Sequence, residues 1–498
     1  MTAECGGLTI SLAGMPYEVD ISPMSIERFA SVLSPEQLEN FERGAREGRE
    51  LLEGRVVWNV NSTARGGGVV ELLQPLVAYA RGAGVDARWT VIEGPPEFYV
   101  VTKRIHNRLH GAEGDGLPLD DHARSIYDRV LAGNAAEFVK RVREEDVVIL
   151  HDPQTAGMVD AVRATGAAVI WRCHVGLDRP NERARDAWAF LLSAVANADV
   201  YVFSRESFAW EGLDLDRIVV IPPSVDPFAP KNEPLDPDTV RAVLQASGVL
   251  MGAREPAPVT FERHDGTPGR VERRAWIAEE QPLRPDMPVV LQVSRWDALK
   301  DPLGVIRGFA DHVPADSGAH LVYAGPAVEA VADDPEGARV LREALDLRAQ
   351  LTDEQRSRIH LATLPMDDPE ENAIIVNALQ RHARIVVQKS LAEGFGLTVA
   401  EGMWKGRPVV ASRIGGIQDQ IVDGESGVLL GDPKDLAAYG AAVTDLLAHP
   451  DRAERIGERA YQRVRDRFLS ARSLLDYLAV MRRVSGSAAA GAAGRRRS

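Results

Sequence analysis

Short apolar runs alternate with longer helix-like segments in two separate series, and this pattern most constrains how the chain can fold. The first series has runs at residues 55–61, 146–150, 167–171, 199–203 and 218–223. The second series has runs at residues 288–295, 320–325, 359–363, 384–390 and 407–412. Such alternation is typical of β/α units whose strands form a parallel sheet. Because 498 residues suffice for two cores, the sequence predicts an α/β protein with two Rossmann-like domains.

Breaks in this rhythm divide the chain into five predicted segments. A stretch rich in Pro, Gly and charge separates the two series, and its two β-like runs around a Gly-containing turn predict a hairpin insertion. We expect an N-terminal extension that packs on the first domain (1–54), a first domain (55–287) with the hairpin insertion at about 230–287, a second domain (288–467), a helix that returns to the first domain (468–484), and a disordered tail (485–498).

Composition and charge exclude several classes of function. The formal net charge of −15 is unsuited to nucleic-acid binding, which needs a basic surface. No apolar run is long enough to cross a bilayer, and the N-terminus lacks the basic and apolar segments of a secretory signal. The two cysteines, Cys5 and Cys173, lie far apart, so we expect no disulfide framework and a cytoplasmic location. We expect neither a nucleic-acid nor a membrane partner, and a homodimer is left open.

Two carboxylates eight positions apart, Glu393 and Glu401, flank a glycine turn between two predicted strands. The turn and the start of the following helix-like run are Gly394, Phe395, Gly396 and Leu397. Because ligands of parallel sheets collect at the carboxyl ends of strands, Glu393 could accept hydrogen bonds from a hexose while the turn presents N–H groups to phosphate. Glu401 lies about two helical turns further along the same face, where a ribose diol could reach it. The pattern indicates a sugar-nucleotide site, and two solvated acids around a turn are the alternative.

Two cations follow the first strand of the second series. Arg295 ends the strand and Lys300 comes five residues later. They could hold a diphosphate and stabilise the charge that develops on it when a glycosyl–phosphate bond breaks. A surface ion pair is the alternative. Two Asp-x-Asp sequences, 214–216 and 236–238, match the letters of a metal-binding motif, but neither follows a predicted buried strand. We therefore expect no metal ion and no cofactor.

Polar residues also end two strands of the first series. Asp152 and Gln154 follow one strand, and Arg172 and His174 end the next. Since neighbouring parallel strands end at one edge, these groups converge. His174 could orient or donate to a sugar hydroxyl, and a purely structural histidine is equally compatible. A triple glycine at 66–68 could let the backbone approach a ligand or form a tight turn.

Several segments taken together resemble a known family. They are residues 58–63, 66–69, 87–94, 151–154, 171–174, 222–227, 293–296, 300–302, 333–337, 388–391 and the acidic motif 393–401. They resemble the retaining glycosyltransferases of family 4, and within them the trehalose glycosyltransferring synthases and the related trehalose phosphorylases. The resemblance spans about residues 56–432, with the 230–288 stretch as an interruption.

The resemblance implies a GT-B fold, in which two Rossmann-like domains face a central cleft. It also implies metal-independent transfer of glucose from UDP-, ADP- or GDP-glucose to free glucose, with retention, giving α,α-trehalose. Carried over residue by residue, it implies catalytic roles for Arg295, Lys300, Glu393 and His174, donor binding by Gly67, Gly68, Leu364, Met366, Gly394, Phe395, Gly396, Leu397 and Glu401, and acceptor binding by Asn61, Asp152, Gln154 and Arg172.

Three alternatives stay open at this point. A trehalose phosphorylase would use phosphate in place of the nucleotide, and the presence of Glu401 favours the nucleotide only weakly. A related transferase could modify a specialised metabolite rather than glucose. A binding subunit without catalysis is the third alternative, and the presence of Arg295, Lys300, Glu393 and Glu401 argues against it.

Overall fold

The computed structural model describes residues 15–64, 68–252, 259–263, 266–328 and 335–495, which form two compact units. The first unit contains Gln37–Ile221 together with the chain up to Arg28 and the chain from Leu474 onward. The second unit contains Phe29–Glu36 and Pro222–Ser473. The chain therefore enters the second unit, leaves it and re-enters it before ending in the first unit.

A parallel sheet with one antiparallel edge strand forms the centre of the first unit. The elements from the N-terminus to the end of this sheet are β1 (Tyr17–Val19), α1 (Pro35–Leu51), β2 (Val56–Asn61), α2 (Gly68–Gly82), β3 (Asp86–Val91), α3 (Pro96–Leu109), α4 (Asp121–Phe138), β4 (Val147–His151), α5 (Val159–Arg163), β5 (Ala168–Cys173), α6 (Glu182–Val195), β6 (Val200–Phe203) and β7 (Ile218–Val220). The strand order is β1–β3–β2–β4–β5–β6–β7, and only β1 runs antiparallel to its neighbour.

The central strands of this sheet are buried on both faces, as expected when helices cover a parallel sheet. Every residue of β2, β4 and β6 is buried. Alternate residues of β2 supply the two cores, since Trp58 packs in one cluster and Val57 in the other. This is why the strands appear in the sequence as continuous apolar runs rather than as alternating patterns.

The second unit repeats the architecture. Its elements are α7 (Pro237–Ala246), β8 (Val259–Glu262), β9 (Pro268–Val271), β10 (Trp276–Ala278), β11 (Val289–Val293), α8 (Pro302–His312), β12 (His320–Pro326), α9 (Pro335–Ala349), α10 (Asp353–Ser357), β13 (Ile359–Leu364), α11 (Pro369–His382), β14 (Ile385–Gln388), α12 (Leu397–Trp404), β15 (Val409–Ser412), α13 (Ile417–Gln420), β16 (Val428–Leu430), α14 (Leu436–Ala448) and α15 (Pro450–Arg467). Its sheet has the order β10–β13–β12–β11–β14–β15–β16, with β10 antiparallel. Every run of the two predicted series overlaps a strand of one of the two sheets.

The predicted hairpin exists, because β8 and β9 pair as an antiparallel two-stranded sheet. Its predicted place in a first domain ending at residue 287 is wrong. The first unit ends at Ile221, and the hairpin belongs to the second unit. The physical reason is that β10 extends the second sheet through β13, and backbone N–H groups that follow β9 bond to Glu371 of α11.

The terminal segments follow the expected division only in part, and the C-terminal helix does return to the first unit. Part of the predicted N-terminal extension, Phe29–Glu36, lies in the second unit. The last helix, α16 (Ser470–Arg495), begins in the second unit, and Tyr477, Val480 and Met481 pack in the core of the first. The tail predicted to be disordered from residue 485 is helical through Arg495, because its alanines continue a helix that has already been nucleated. Residues 496–498 lie outside the described residues.

Within the described ranges, no helix combines the length and apolarity needed to cross a bilayer.

Candidate active site

Lys300 and Glu393 form an ion pair at the carboxyl edge of the second sheet. Lys300 lies after β11 and Glu393 lies after β14, and these strands are neighbours in the sheet. Lys300 Nζ is 2.6 Å from Glu393 Oε2, and their side chains are only 16% and 12% exposed. The two loops are also tied by their backbones, since Leu391 N donates to Leu299 O at 2.8 Å. The sheet topology therefore brings together two residues that the sequence assigned separately, Lys300 to a diphosphate and Glu393 to a hexose.

Among the described residues, every hydrogen bond to the Glu393 carboxylate goes to one oxygen, Oε2. Ser390 Oγ donates to Oε2 at 3.2 Å, and Gln388 Nε2 lies 3.5 Å from the same atom. Together with Lys300 these donors hold the carboxylate in one orientation. No side chain among the described residues bonds to Oε1. A ligand hydroxyl could therefore donate to Oε1 without displacing an existing bond.

The glycine turn after Glu393 has a backbone that larger residues could not adopt. Gly396 has φ +81°, a left-handed conformation that favours glycine, and α12 begins directly after it. A Cβ at Gly415 would lie 1.9 Å from Glu393 O, and Gly416 N donates to Gly394 O at 2.8 Å. Because these contacts fix the turn, the predicted phosphate-facing residues Gly394, Phe395, Gly396 and Leu397 lie together beside Glu393 at the start of a helix.

Arg295 lies in the same loop as Lys300, two residues after the end of β11. Its guanidinium Nη2 is 3.2 Å from Asp297 Oδ2, and its side chain is 52% exposed. Arg295 is thus accessible to an anion, while the neighbouring Trp296 is buried and donates to Pro326 O. A buried cation, Lys389, was not singled out by the sequence, and it pairs with Asp301 at the start of α8.

Glu401 is more enclosed than a ribose ligand was expected to be. It is 2% exposed, its Oε1 lies 3.0 Å from Lys231 Nζ, and Gln380 Nε2 lies 3.4 Å from Oε2. The ammonium of Lys405, whose pKa burial lowers, donates to the Glu401 carbonyl. Lys231 comes from a segment 170 positions away in sequence, so spacing gave no sign of it. A ribose diol would have to displace one of these partners.

Two further donor-site expectations fare differently. The Leu364 side chain is 1% exposed and packs in the hydrophobic core, which leaves its backbone for the expected contact with a base. β13 is covered on both faces, with Leu364 packed in one core and Leu361 in the other. Met366 follows the strand and is half-buried. Gly68 begins α2, whereas Gly67 lies outside the described residues.

In the first unit, three side chains on adjacent strands form a hydrogen-bonded row. Asn59 Oδ1 on β2 lies 3.2 Å from His151 Nε2 on β4, and His151 Nδ1 lies 3.1 Å from His174 Nε2, just after β5. The two imidazole rings are stacked at 15°. Burial, and next the Arg172 charge, lower the pKa of His151 to about 3 and that of His174 well below its usual value. Both rings are therefore neutral at pH 7.

Asp152 orients the backbone at the end of this row. It adopts a left-handed conformation with φ +64°, which Asp tolerates better than most residues, and its Oδ1 accepts a 2.7 Å bond from His174 N. Burial raises the pKa of Asp152 to about 6. Two buried acceptor atoms, His174 Nδ1 and Gln154 Oε1, have no hydrogen-bond partner among the described residues. Buried polar atoms without partners are costly unless a ligand or water satisfies them.

Asn61 and Arg172 are held by the protein. Asn61 accepts from Trp89 Nε1 at 2.8 Å and donates to Thr63 O at 2.7 Å, so its amide positions the loop after β2. These bonds use one N–H and one lone pair of the Asn61 amide, so acceptor binding through its other N–H stays a prediction. Arg172 is 1% exposed and donates through Nη2 to Ile221 O at 2.8 Å. Sequence spacing cannot reveal such local amide and guanidinium bonds.

The two Asp-x-Asp sequences cap helical turns. Asp214 accepts from Asp216 N, and Asp236 accepts from Asp238 N and Thr239 N at the start of α7. Among the side chains that the structure describes, no group of three or more His, Cys, Asp or Glu residues is placed to hold a metal ion.

Both halves of the chain match known families. Residues 59–210 match the family described as trehalose synthase, N-terminal domain, and residues 274–463 match glycosyl transferases group 1. The chain is 32% identical over 478 residues to a trehalose synthase of Pyrococcus horikoshii, in an alignment that covers 95% of this chain and 100% of the relative. It is 24% identical over 441 residues to a trehalose phosphorylase of Grifola frondosa, in an alignment that covers 84% of this chain and 56% of the relative.

Solved structures agree on the fold. An alpha,alpha-trehalose-phosphate synthase (UDP-forming) from Burkholderia xenovorans, solved in complex with glucose-6-phosphate, has a TM-score of 0.62 at 15% identity and covers 86% of this chain and 100% of that chain. The predicted α/β class and GT-B fold are confirmed. The similarity to trehalose synthases extends over nearly the whole chain, so this protein belongs to the trehalose synthase family and is a hexosyltransferase among the glycosyltransferases.

Proposed function

We propose that this protein transfers glucose from a nucleoside diphosphate glucose to free glucose and forms α,α-trehalose with retention of configuration. The observation that carries the proposal is the Lys300–Glu393 pair beside the glycine turn. Lys300 supplies positive charge, Glu393 Oε1 is open to a sugar hydroxyl, and the start of α12 presents backbone N–H groups suited to an anion. A sugar joined to a diphosphate needs all three.

The first unit supports the acceptor half of the proposal. His174 Nδ1 and Gln154 Oε1 are buried acceptor atoms, and sugar hydroxyls are the donors that match them. Asp152 adds a carboxylate whose raised pKa, about 6, still leaves it mostly ionised at pH 7. We assign these residues to binding the glucose acceptor.

A front-face route accounts for retention with these groups. As the bond from the anomeric carbon to the diphosphate breaks, a diphosphate oxygen takes the proton of the attacking glucose hydroxyl. Lys300 and Arg295 stabilise the charge on the departing diphosphate, which is the largest electrostatic demand of the step. The protein otherwise contributes orientation. We propose that the reaction takes place in the cytoplasm and needs no metal ion. Because no metal ion is needed, we expect full turnover in the presence of EDTA.

A direct test uses the reverse reaction. The protein is incubated with trehalose and UDP, ADP, GDP or inorganic phosphate, and the products are separated and identified. We expect glucose and a nucleoside diphosphate glucose. Glu393→Gln, which keeps the size of the side chain, should lower turnover by roughly 10²–10³-fold. Turnover with phosphate alone, or none with any of the four, contradicts the proposal.

A trehalose phosphorylase is the second candidate, and the enclosure of Glu401 favours it. With Lys231 and Gln380 already bound to its carboxylate, Glu401 is not open to a ribose. Glu401→Gln separates the two functions. If Glu401 binds ribose, the variant loses about 1–3 kcal/mol of nucleotide affinity, or roughly 5- to 150-fold in KM. If the substrate is phosphate, its KM stays unchanged.

A third outcome concerns the acceptor. A screen of sugars and of larger hydroxylated metabolites with UDP-glucose and ADP-glucose identifies it. We expect glucose to react fastest, and a response to other acceptors without one to glucose assigns the protein to a specialised transferase. Size-exclusion chromatography during the same work tests the homodimer, which stays a prediction.

A further inference from the structure

We propose that Asn59 and His151 are positioning residues that fix His174 in a single tautomer, with Nδ1 as a hydrogen-bond acceptor directed at the sugar substrate. The inference rests on the proposed function only for the identity of the substrate. The tautomers themselves follow from the row of hydrogen bonds in the first unit. Its starting point is Asn59, which the sequence did not single out as part of a site.

The row has one consistent arrangement of hydrogens. The amide oxygen of Asn59 can only accept, so His151 Nε2, at 3.2 Å, carries the hydrogen. A neutral imidazole has one N–H, so His151 Nδ1 is then an acceptor. His174 Nε2, at 3.1 Å from that atom, must therefore donate. It follows that His174 Nδ1 has no hydrogen.

Burial makes this arrangement exclusive. Asn59 is 2% exposed and His151 is 1% exposed, so water is poorly placed to offer either ring a substitute partner. His174 Nδ1 is itself buried and has no hydrogen-bond partner among the described residues. A lone acceptor at the end of such a row recognises a group that can donate, such as a hydroxyl, and rejects a group that can only accept.

Burial, and after it the charge of Arg172, keeps both rings neutral. The titratable and charged groups that face the row are Asp152, just after the end of β4, and Arg172, on β5. Arg172 adds to the effect of burial and disfavours an imidazolium at either histidine. Asp152 directs one carboxylate oxygen at the backbone N–H of His174, not at its ring. Neither Asp152 nor Arg172 reverses the direction of the row at neutral pH.

Replacing Asn59 by aspartate should reverse the row. A carboxylate beside Nε2 favours a doubly protonated His151, whose Nδ1 then donates. His174 Nε2 must become the acceptor, and the single hydrogen of His174 moves to Nδ1. The atom facing the substrate changes from acceptor to donor. Because the carboxylate raises the pKa of His151, this reversal appears on lowering the pH and is undone on raising it.

Two readouts test the inference. Long-range ¹H–¹⁵N correlation spectra of protein labelled in its histidines, assigned with His151→Gln and His174→Gln, report which ring nitrogens carry hydrogen. We expect Nε2–H at both histidines in the native protein and Nδ1–H at His174 in Asn59→Asp at low pH. This measurement needs no turnover, so a failure of the proposed function leaves it interpretable.

The second readout is the pH profile of KM for the sugar acceptor. In Asn59→Asp its acidic limb should move toward neutral pH, while KM for the donor stays unchanged. Asn59→Leu, which removes the acceptor without adding charge, should raise acceptor KM about tenfold at every pH. Asn197→Asp makes the same substitution at an exposed site of the first unit and should leave the limb in place. Nδ1–H at His174 in the native protein, or an unshifted limb in Asn59→Asp, overturns the inference.

Discussion

Lys300 and Glu393 illustrate how a costly contact can be retained at a single pair of residues. Both side chains are mostly withdrawn from water, and the desolvation cost of such a pair can cancel its attraction. Glu393 is further restrained by Ser390. The pair is therefore better explained by what it presents, a fixed ammonium and an open carboxylate oxygen, than by stability.

This explanation predicts the effect of Lys300→Met, which preserves much of the side-chain volume. Turnover should fall by roughly 10²–10³-fold, because the charge that stabilises the departing group is lost. The melting temperature should also fall, because the substitution leaves the Glu393 carboxylate, which is 12% exposed, without its cation. Arg339→Met, which removes an exposed cation on α9, serves as the control and should leave both quantities near their native values. A large loss of melting temperature with turnover intact would assign Lys300 a structural role instead.

At this scale the sequence predicts contacts better than it predicts orientations. Lys300 meets Glu393 because each follows one of two neighbouring strands, which topology determines. Asn61 and Leu364 also lie at strand ends, but one is held by local amide bonds and the other faces the core. Glu401 is enclosed by Lys231, whose approach depends on the path of a remote loop. Residue spacing reveals neither the orientation of a side chain nor the path of a remote loop.

Among the elements, the hairpin β8–β9 is joined to α11 through charged groups. Arg263, after β8, donates to Asp368 Oδ1 at 3.0 Å, and Asp368 also caps α11 by accepting from Glu370 N at 3.0 Å. Beyond β9, Glu272 N and Arg273 N donate to the buried carboxylate of Glu371 at 2.6 and 2.7 Å. The hairpin is thus fixed by the N-terminal end of α11, where anionic side chains are favoured.

Asp368→Asn tests this attachment through its pH dependence. The bond from Arg263, followed by those from the start of α11, lowers the pKa of Asp368 to about 2. A lowered pKa gives stability that is complete above the unfolded value of 3.8 and is lost as the pH falls toward about 2. Asparagine keeps the cap but loses the charge. The variant should melt roughly 2–4 °C lower than the native protein at pH 7, and the difference should shrink below pH 4.

The control for this experiment is Asp353→Asn, which alters an exposed carboxylate in the first turn of α10. It should leave the melting temperature unchanged at either pH. A difference for Asp368→Asn that is the same at pH 7 and pH 3 would mean that its ionisation does not stabilise the attachment.

The length of a strand decides whether the sequence can predict it. The hairpin was predictable because its two strands alternate and flank a turn. The edge strands β1 and β10 have three residues each, too few for a periodic pattern, and they exist because a neighbouring strand offers free backbone groups. The antiparallel pairing of β10 with β13 assigns the insertion to the second unit. Because these strands are distant in sequence, the local sequence does not predict their pairing.

For the whole molecule, the C-terminal helix determines when the first unit can be completed. α16 begins at Ser470, and Tyr477, Val480, Met481 and Val484 then pack in the core beneath the first sheet. That core also contains Ile149 and Ile170 of β4 and β5. The first unit is therefore incomplete until this helix has been synthesised, whereas the second unit lies wholly between Phe29 and Ser473.

Met481→Ala tests this dependence. Met481 is 4% exposed, and truncating a buried methionine typically costs about 2–5 kcal/mol. The next residue, Arg482, is half-exposed and pairs with Glu47, so Arg482→Ala is a matched control with a cost of about 0–1 kcal/mol. Hydrogen–deuterium exchange followed peptide by peptide locates the loss. We expect faster exchange in β4 and β5 of the Met481 variant and unchanged exchange in β11 and β14, because a cavity weakens the core that surrounds it. Equal acceleration in both sheets would mean that the two units unfold as one, and no acceleration would mean that the helix contributes little to the first core.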